Sequence, residues 1–389
     1  MSIDTLVYEK KNNQARIAAL ASGEMRELEI VDFTTAGEGN IYLGRITRKI
    51  DLANGKTGYF LDIGDSREAF INAEENGMDE LVATEGQSLV VQVIQEQRAE
   101  KGARLVRSLQ FVGEYTVYCP YRMTIEVSNK IEDKLKAEEY RQTVLDNTTG
   151  QEGWIIRTSA VDAEVEKIRE EMEFLRNEYE ELLRKARQSK APCLLRQKNN
   201  PLFDYINRNK AALRKVVVNN HNNEEEIKEK TGEEVLVEFS SSPFEDYGLE
   251  DAVLEALQKE VKLKSGGRIT IEETKACVAI DVDSGGDKAN GSLGRLNMES
   301  AFEIAKQIKL RNLSGKIVID FAGVSEYRYL KNVIEVLEQE LQKDYVKSTI
   351  FGLSRGGNVE IVRMRRRPTL RDVLTEECAS CQGTGRVEK

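Results

Sequence analysis

Ala276-Cys277-Val278-Ala279-Ile280-Asp281-Val282-Asp283-Ser284-Gly285-Gly286, followed further on by Lys316-Ile317-Val318-Ile319-Asp320-Phe321, sets the reading of this chain. Each stretch is a short apolar run that terminates in carboxylate, the pattern of a strand buried in a sheet. Asp281 and Asp283 stand two residues apart and so face one side of an extended chain. In open α/β sheets the carboxyl ends of such strands face the crevice where ligands bind. Carboxylates converging there repel one another unless a cation neutralises them. Mg²⁺ suits an all-oxygen site, because it keeps several waters and grips phosphate oxygens. A metal-bound water that attacks a phosphodiester then needs no histidine. The plainer alternative is that each Asp caps the turn after its strand; two of them on neighbouring strands favour the metal.

Around these runs the last third of the chain alternates strand with helix: strands over 268–271, 275–281, 316–320, 348–351 and 358–364, helices over 295–312 and 326–343. That order predicts a layered α/β sheet covered by helices. Toward the N-terminus, residues 1–35 alternate in strand fashion until Thr34-Thr35-Ala36-Gly37-Glu38-Gly39 breaks the pattern. Strands over 41–47, 57–63, 69–71, 88–96 and 104–109, joined by turns with Asn54-Gly55, Gly64-Asp65 and Asn76-Gly77, predict a small barrel. Phe60 and Phe70 belong to it, either in its core or as rings on which bases stack. Strands continue over 115–118, 124–127 and 153–159. Val165, Ile168, Met172, Leu175, Tyr179, Leu182 and Ala186 then recur at alternating steps of three and four, a seam on one long helix or helical hairpin. Pro192 and Pro201 bound a connector. A helix over 202–213, a strand over 215–218, an acidic helix face over 224–234 and a helix over 248–260 complete the chain.

The chain has 389 residues, 40% of them hydrophobic and 32% charged, enough to bury the cores of several domains. A net charge of −10 does not by itself mark a nucleic-acid binder. The single histidine, His221, excludes mechanisms that need several. No N-terminal basic patch precedes an apolar stretch, and no run approaches the roughly 18 apolar residues of a membrane span, so the expected compartment is the cytosol. Cys119, Cys193, Cys277, Cys378 and Cys381 are scattered and odd in number, against a secreted disulfide framework.

Cys378-Ala-Ser-Cys381-Gln-Gly-Thr-Gly385 is half of a four-cysteine zinc site, with glycines that let backbone wrap the sulfurs. No second pair with that spacing occurs, so tetrahedral zinc would be completed by another molecule, most simply a symmetric partner. A redox pair or an incidental surface motif is the alternative. Positive charge is also segregated: Arg355, Arg363, Arg365, Arg366, Arg367 and Arg371 against Glu360, and Arg98, Lys101, Arg104 and Arg107 against Glu100. Local stripes of this kind can grip phosphate on an acidic protein, although many are simply solvated faces.

Taken in order, these motifs resemble the RNase E/G family of bacterial endoribonucleases, from near Gly39 to Gly385. Gly39-Asn40-Ile41-Tyr42-Leu43-Gly44-Arg45-Ile46 is similar to the opening of that family's S1-type OB barrel, and Gly153-Trp154-Ile155-Ile156-Arg157-Thr158-Ser159 to its 5′-end sensor. The two carboxylate strands are similar to its metal strands and the cysteine tail to its zinc link. The resemblance implies that Asp281 and Asp320 are catalytic and, with Asp283, hold Mg²⁺. The water on that ion would cut single-stranded A/U-rich RNA to 5′-phosphate and 3′-hydroxyl ends, in rRNA and tRNA processing and mRNA decay. It implies that Arg157 and Thr158 bind a 5′-monophosphate, as a guanidinium fork and a hydroxyl suit. Phe60, Phe70 and Lys101 would stack and clamp RNA, and Cys378 and Cys381 would share one Zn²⁺ across a homodimer.

The implied architecture is mixed α/β and α+β. An RNase H-like element over 1–36 and 200–260 is interrupted by the OB barrel over 37–111 and the sensor over 112–199. A DNase I-like catalytic domain over 261–372 and the zinc link over 373–389 follow. Three departures stand out: Asp283 where the best-known members have Asn, a shortened 284–298 segment lacking an acidic pair, and Asn129-Lys130 where two arginines are common. The sequence stops just after the zinc link, so a dimer is expected, without the family's small C-terminal domain, a degradosome scaffold or a membrane span. A non-catalytic, RNA-binding member of the same family is the rival reading.

Overall fold

Period-two alternation at the start of the chain forms three antiparallel strands, β1 (Thr5–Lys11), β2 (Gln14–Ala21) and β3 (Glu24–Asp32). The computed structural model describes residues 2–385 apart from 75–80, 99–100, 130, 132, 162, 199, 222–223, 286–292, 324–326, 382 and 384. The turn read at Asn76-Gly77, Glu100, Lys130 and residues 286–292 of the shortened 284–298 segment therefore lie outside the described residues. Two compact units result, one of Met1–Asp32 with Arg208–Lys389, the other of Phe33–Asn207, which is inserted within the first in sequence.

The inserted unit begins with β4 (Ile41–Asp51), β5 (Thr57–Asp62), β6 (Ala69–Asn72), β7 (Ser88–Gln95) and β8 (Arg104–Val106). They pair in the order β4-β5-β6-β8-β7, and β7 returns to β4, closing a five-stranded barrel consistent with an OB fold. Tyr59, Leu61, Ile71, Val91, Val93 and Leu105 point inward and fill it, while the alternate residues point out. β9 (Phe111–Val112), β10 (Thr116–Cys119), β11 (Ile125–Val127), α1 (Lys134–Asp146) and β12 (Gly153–Ile156) come next, and their strands make a second sheet in the order β11-β12-β10-β9. The long helix α2 (Val165–Gln188) lays Ile168, Met172, Leu175 and Leu182 into the same core as the buried Trp154, so its seam packs on a sheet. The supposed connector between Pro192 and Pro201 holds a further strand, β13 (Cys193–Arg196), which joins the barrel at β4. Four residues are too few for alternation to register against flanking prolines.

After α3 (Pro201–Asn209), the other unit resumes with β14 (Lys215–Val218), α4 (Glu224–Thr231) and β15 (Leu236–Phe239). β14 lies parallel to β1 and β15 parallel to β14, giving the sheet β15-β14-β1-β2-β3. The helix expected over 248–260 is α6 (Leu249–Glu255), which begins at Gly248 as expected but ends five residues early; the short α5 (Pro243–Asp246) precedes it, with Gly248 at φ 63° between them. That left-handed backbone interrupts the helical hydrogen bonds.

The rest of this unit contains β16 (Glu260–Lys262), β17 (Arg268–Glu273), β18 (Val278–Asp283), α7 (Leu293–Leu310), β19 (Gly315–Asp320), α8 (Tyr327–Gln342), β20 (Ser348–Leu353), β21 (Val359–Arg363) and α9 (Leu370–Leu374). The sheet order is β16-β17-β18-β19-β21-β20. α7 and α8 bury Ile280, Val282, Ile317 and Ile319 against Ile304, Ile308, Leu330, Val333 and Leu337. The strands are not buried on both faces as their apolar character suggests, since Ala279, Asp281, Lys316 and Asp320 are exposed. Most neighbouring strands here run antiparallel, and such sheets commonly pack one face and leave the other to water. No helix among the described residues is long and apolar enough to cross a membrane.

The basic run 355–371 is also corrected, because its arginines have different fates. Arg363 is only 2% exposed; its Nε donates to Asp344 (2.8 Å) and its Nη1 to the side chain of Asn312 and the carbonyl of Leu313 (both 2.9 Å). Arg367 is ion-paired with Glu29, and burial pushes its pKa down to about 10. Arg363 braces its own sheet and Arg367 pairs with β3, so neither forms part of a solvent-facing stripe, whereas Arg355, Arg365 and Arg371 are exposed. Removing one partner of a buried pair leaves an uncompensated charge. Asp344→Ala is therefore expected to lower the unfolding free energy by about 3–5 kcal/mol, and Arg355→Ala by no more than about 0.5 kcal/mol. Urea titration measures both, and a loss below about 1 kcal/mol for Asp344→Ala contradicts the pairing.

Candidate functional site

β18 and β19 are parallel neighbours, connected by α7, and their register sets Val278 opposite Ile317, Ile280 opposite Ile319 and Asp281 opposite Asp320. The two carboxylates thus emerge side by side on the open face, with backbones about 4.8 Å apart. Thr270 of β17 lies opposite Asp281 on its other side. Neither carboxylate makes a hydrogen bond or an ion pair with a described residue. Adjacent carboxylates of this kind are a donor set for a hard cation.

Asp283 is two residues further along the same face, but its carboxylate is engaged. Oδ2 accepts from Nη2 (2.7 Å) and Nε (3.1 Å) of Arg268, and Oδ1 accepts from the N–H of Gly285 (3.0 Å). The Gly285 N–H and then Arg268 hold this carboxyl below the usual carboxylate range. The sequence groups the three aspartates; the structure brings Asp281 and Asp320 together and pairs Asp283 with Arg268. The turn after Asp320 is clamped by Asn297 of α7, which is 1% exposed. Its Nδ2 donates to the Ala322 carbonyl (3.0 Å), and its Oδ1 accepts from the Ala322 N–H (3.1 Å).

On the barrel, Phe60 and Phe70 point outward from β5 and β6, directly opposite each other, with ring centroids 5.4 Å apart. The row continues on both sides, since Arg48 of β4 is in register with Phe60, and Arg104 of β8 with Phe70. The Arg48 guanidinium lies 4.4 Å over the Phe60 ring. Gly58 makes room for this: a Cβ there would sit 2.6 Å from the Phe70 ring. Lys101, paired with Arg98 through two backbone hydrogen bonds of 2.8 and 2.9 Å, is exposed in the segment that precedes β8. The sequence pointed to Phe60, Phe70 and Lys101 but missed Arg48, because a bulge between Ile46 and Arg48 shifts the register.

Arg157 and Thr158 follow β12. Nη1 of Arg157 donates to the carbonyls of Gly113 and, at 3.3 Å, Glu114, and its backbone N–H donates to Tyr115 (2.9 Å). Thr158 is exposed beside it. In the tail, the Cys378 thiol accepts from the N–H groups of Cys381 and Ser380 and lies within hydrogen-bonding reach of the Cys381 thiol; these contacts lower its pKa. Among the described residues, no three His, Cys, Asp or Glu side chains converge as a metal-binding group. The acidic pair and the cysteine pair each offer two ligands.

Residues 110–366 match the model of the Ribonuclease E/G family. Ribonuclease G of Haemophilus influenzae is 34% identical over 97% of this chain and 82% of its own length. Ribonuclease G of Escherichia coli K12 is 29% identical, with 97% and 83% covered. Ribonuclease E of the same strain is 28% identical over 98% of this chain and 38% of the relative.

The cysteines differ sharply in their surroundings. Burial pushes the Cys119 thiol up to about 11, whereas backbone N–H groups hold Cys378 below the usual thiol value. In metal-stripped protein, iodoacetamide is expected to alkylate Cys378 first. The rate should rise with pH and level off below the ordinary thiol pKa of about 8.5. Timed mass spectrometry of the peptides reads this, and Cys193 or Cys277 reacting faster than Cys378 contradicts it.

Proposed function

We propose, from the premise that this chain belongs to the ribonuclease E/G family and is an endoribonuclease, that it cuts single-stranded A/U-rich RNA with Mg²⁺. The products would carry 5′-phosphate and 3′-hydroxyl ends. The supporting observation is the in-register pair Asp281 and Asp320 on parallel strands, whose carboxylates share the open face of the sheet. Two such carboxylates fit Mg²⁺, which would neutralise them and, when bound, supply an activated water. In this reading Asp281 and Asp320 hold the ion, and Asp283, already paired with Arg268, tunes the site from its edge. Phe60 and Phe70 stack successive bases while Arg48, Lys101 and Arg104 attract the backbone. The negative total charge is no obstacle, because recognition depends on this local row.

The same reading makes Arg157 and Thr158 the contacts for a 5′-monophosphate that stimulates cleavage. Cys378 and Cys381 share one Zn²⁺ with the same pair of a second copy, giving a cytoplasmic homodimer active in rRNA and tRNA processing and mRNA decay. The β15-to-β3 sheet corresponds to an RNase H-like element, the β16-to-β20 sheet to a DNase I-like catalytic domain, and 37–111 and 112–199 to barrel and sensor.

Cleavage of a 5′-monophosphorylated A/U-rich oligonucleotide with Mg²⁺ tests the assignment. Asp281→Asn and Asp320→Asn are each expected to lower kcat by more than about 100-fold, and Asp283→Asn by about tenfold. Equal activity after either of the first two substitutions defeats the metal assignment. Phe60→Ala is expected to raise KM about tenfold, in line with one lost base stack. Metal analysis should find one zinc per two chains, and one per chain contradicts a shared site.

A further inference from the structure

The turn between β9 and β10 is held from both sides. On one side Glu171, in the second turn of α2, directs its carboxylate at three successive backbone N–H groups. It accepts from Glu114 (2.5 Å), Tyr115 (2.9 Å) and Thr116 (2.7 Å), and also from the Thr116 hydroxyl (2.9 Å). Consecutive N–H groups converging on one anion form a nest, and charge-assisted bonds of this kind are the strong ones. Gly113 permits the approach, since a Cβ there would lie 2.4 Å from the Glu171 carboxyl carbon.

On the other side the carbonyls of the same turn receive the sensor residues. Arg157 donates from Nη1 to Gly113 and Glu114, and the Ser159 hydroxyl donates to Glu114. With Nη1 committed to the turn, the Nη2 and Nε edge of the guanidinium makes no hydrogen bond among the described residues, and that edge is the one suited to a bidentate phosphate contact. The direction of Arg157 therefore depends on carbonyls whose own peptide units are fixed by Glu171.

We infer that Glu171 is a positioning residue for 5′-end recognition: by filling the 114–116 nest it aims Arg157 at a 5′-monophosphate. This rests on the reading of Arg157 and Thr158 as the 5′-phosphate contacts. Glu171→Gln keeps the side-chain shape but turns an amide NH₂ toward backbone donors, so part of the nest is lost.

The test compares kcat/KM for one oligonucleotide carrying either a 5′-monophosphate or a 5′-hydroxyl, in the full chain and in Glu171→Gln, Thr116→Val and Arg157→Ala. Glu171→Gln is expected to lower the monophosphate-to-hydroxyl ratio about tenfold, acting through KM of the phosphorylated substrate. Thr116→Val, which removes one of the donors to Glu171 without changing shape, is expected to lower it about threefold, and it serves if Glu171→Gln does not fold. A wild-type ratio in both variants, or equal losses on both substrates, overturns the inference. If Arg157→Ala collapses the ratio while Glu171→Gln and Thr116→Val keep it, only the positioning role fails. If Arg157→Ala also keeps it, the sensor reading fails and the inference with it.

Discussion

The parallel pairing of β18 with β19 is the constraint that sets where the two carboxylates stand. Antiparallel neighbours would place the ends of the two apolar runs at opposite edges of the sheet. A parallel pair with α7 as its crossover places them at the same edge and, in this register, Asp281 directly opposite Asp320. The hydrophobic layer beneath explains why the register does not slip. Ile280, Val282, Ile317 and Ile319 all face α7 and α8, and a shift of one residue would turn them to water and the aspartates into the core. The same core thus enforces the closeness of two like charges.

A second layer of polar contacts supports that arrangement. Asn297 reaches from α7 to both hydrogen-bonding groups of Ala322, fixing the backbone just after Asp320. Arg268 and Gly285 engage Asp283, so one of the three aspartates is already paired within the protein. At the other end of the sheet, Arg363 with Asp344 and Asn312 anchors the start of β19. Part of the charge in this unit is thus spent on internal architecture. On the barrel, Arg48 and Arg104 flank Phe60 and Phe70 in register.

The sequence made the carboxylate pair legible because apolar strands that end in Asp are unusual enough to stand out and because both runs are long. Phe60 and Phe70 were open to two readings, and the alternation Tyr59-Phe60-Leu61 resolves into inward and outward positions once the barrel closes. Other features depend on contacts between distant residues and leave no local trace. Glu171 lies in the charged run Arg169-Glu170-Glu171, which reads as a solvated helix face, yet it fills a backbone nest. Arg363 and Arg365 are two residues apart in one basic run, and one is buried while the other is exposed. β13 and the Arg268–Asp283 pair likewise depend on which strands become neighbours.

The central claim is that Asp281 and Asp320 together hold a divalent cation. Iron-mediated backbone cleavage tests it most directly: Fe²⁺ with ascorbate, used in place of Mg²⁺, generates radicals that cut the chain next to the bound ion. The account predicts cuts clustered around residues 281–283 and 320–322, suppressed by excess Mg²⁺ and lost in Asp281→Asn. Cleavage mapping elsewhere, or at these residues but unaffected by Asp281→Asn, would contradict it.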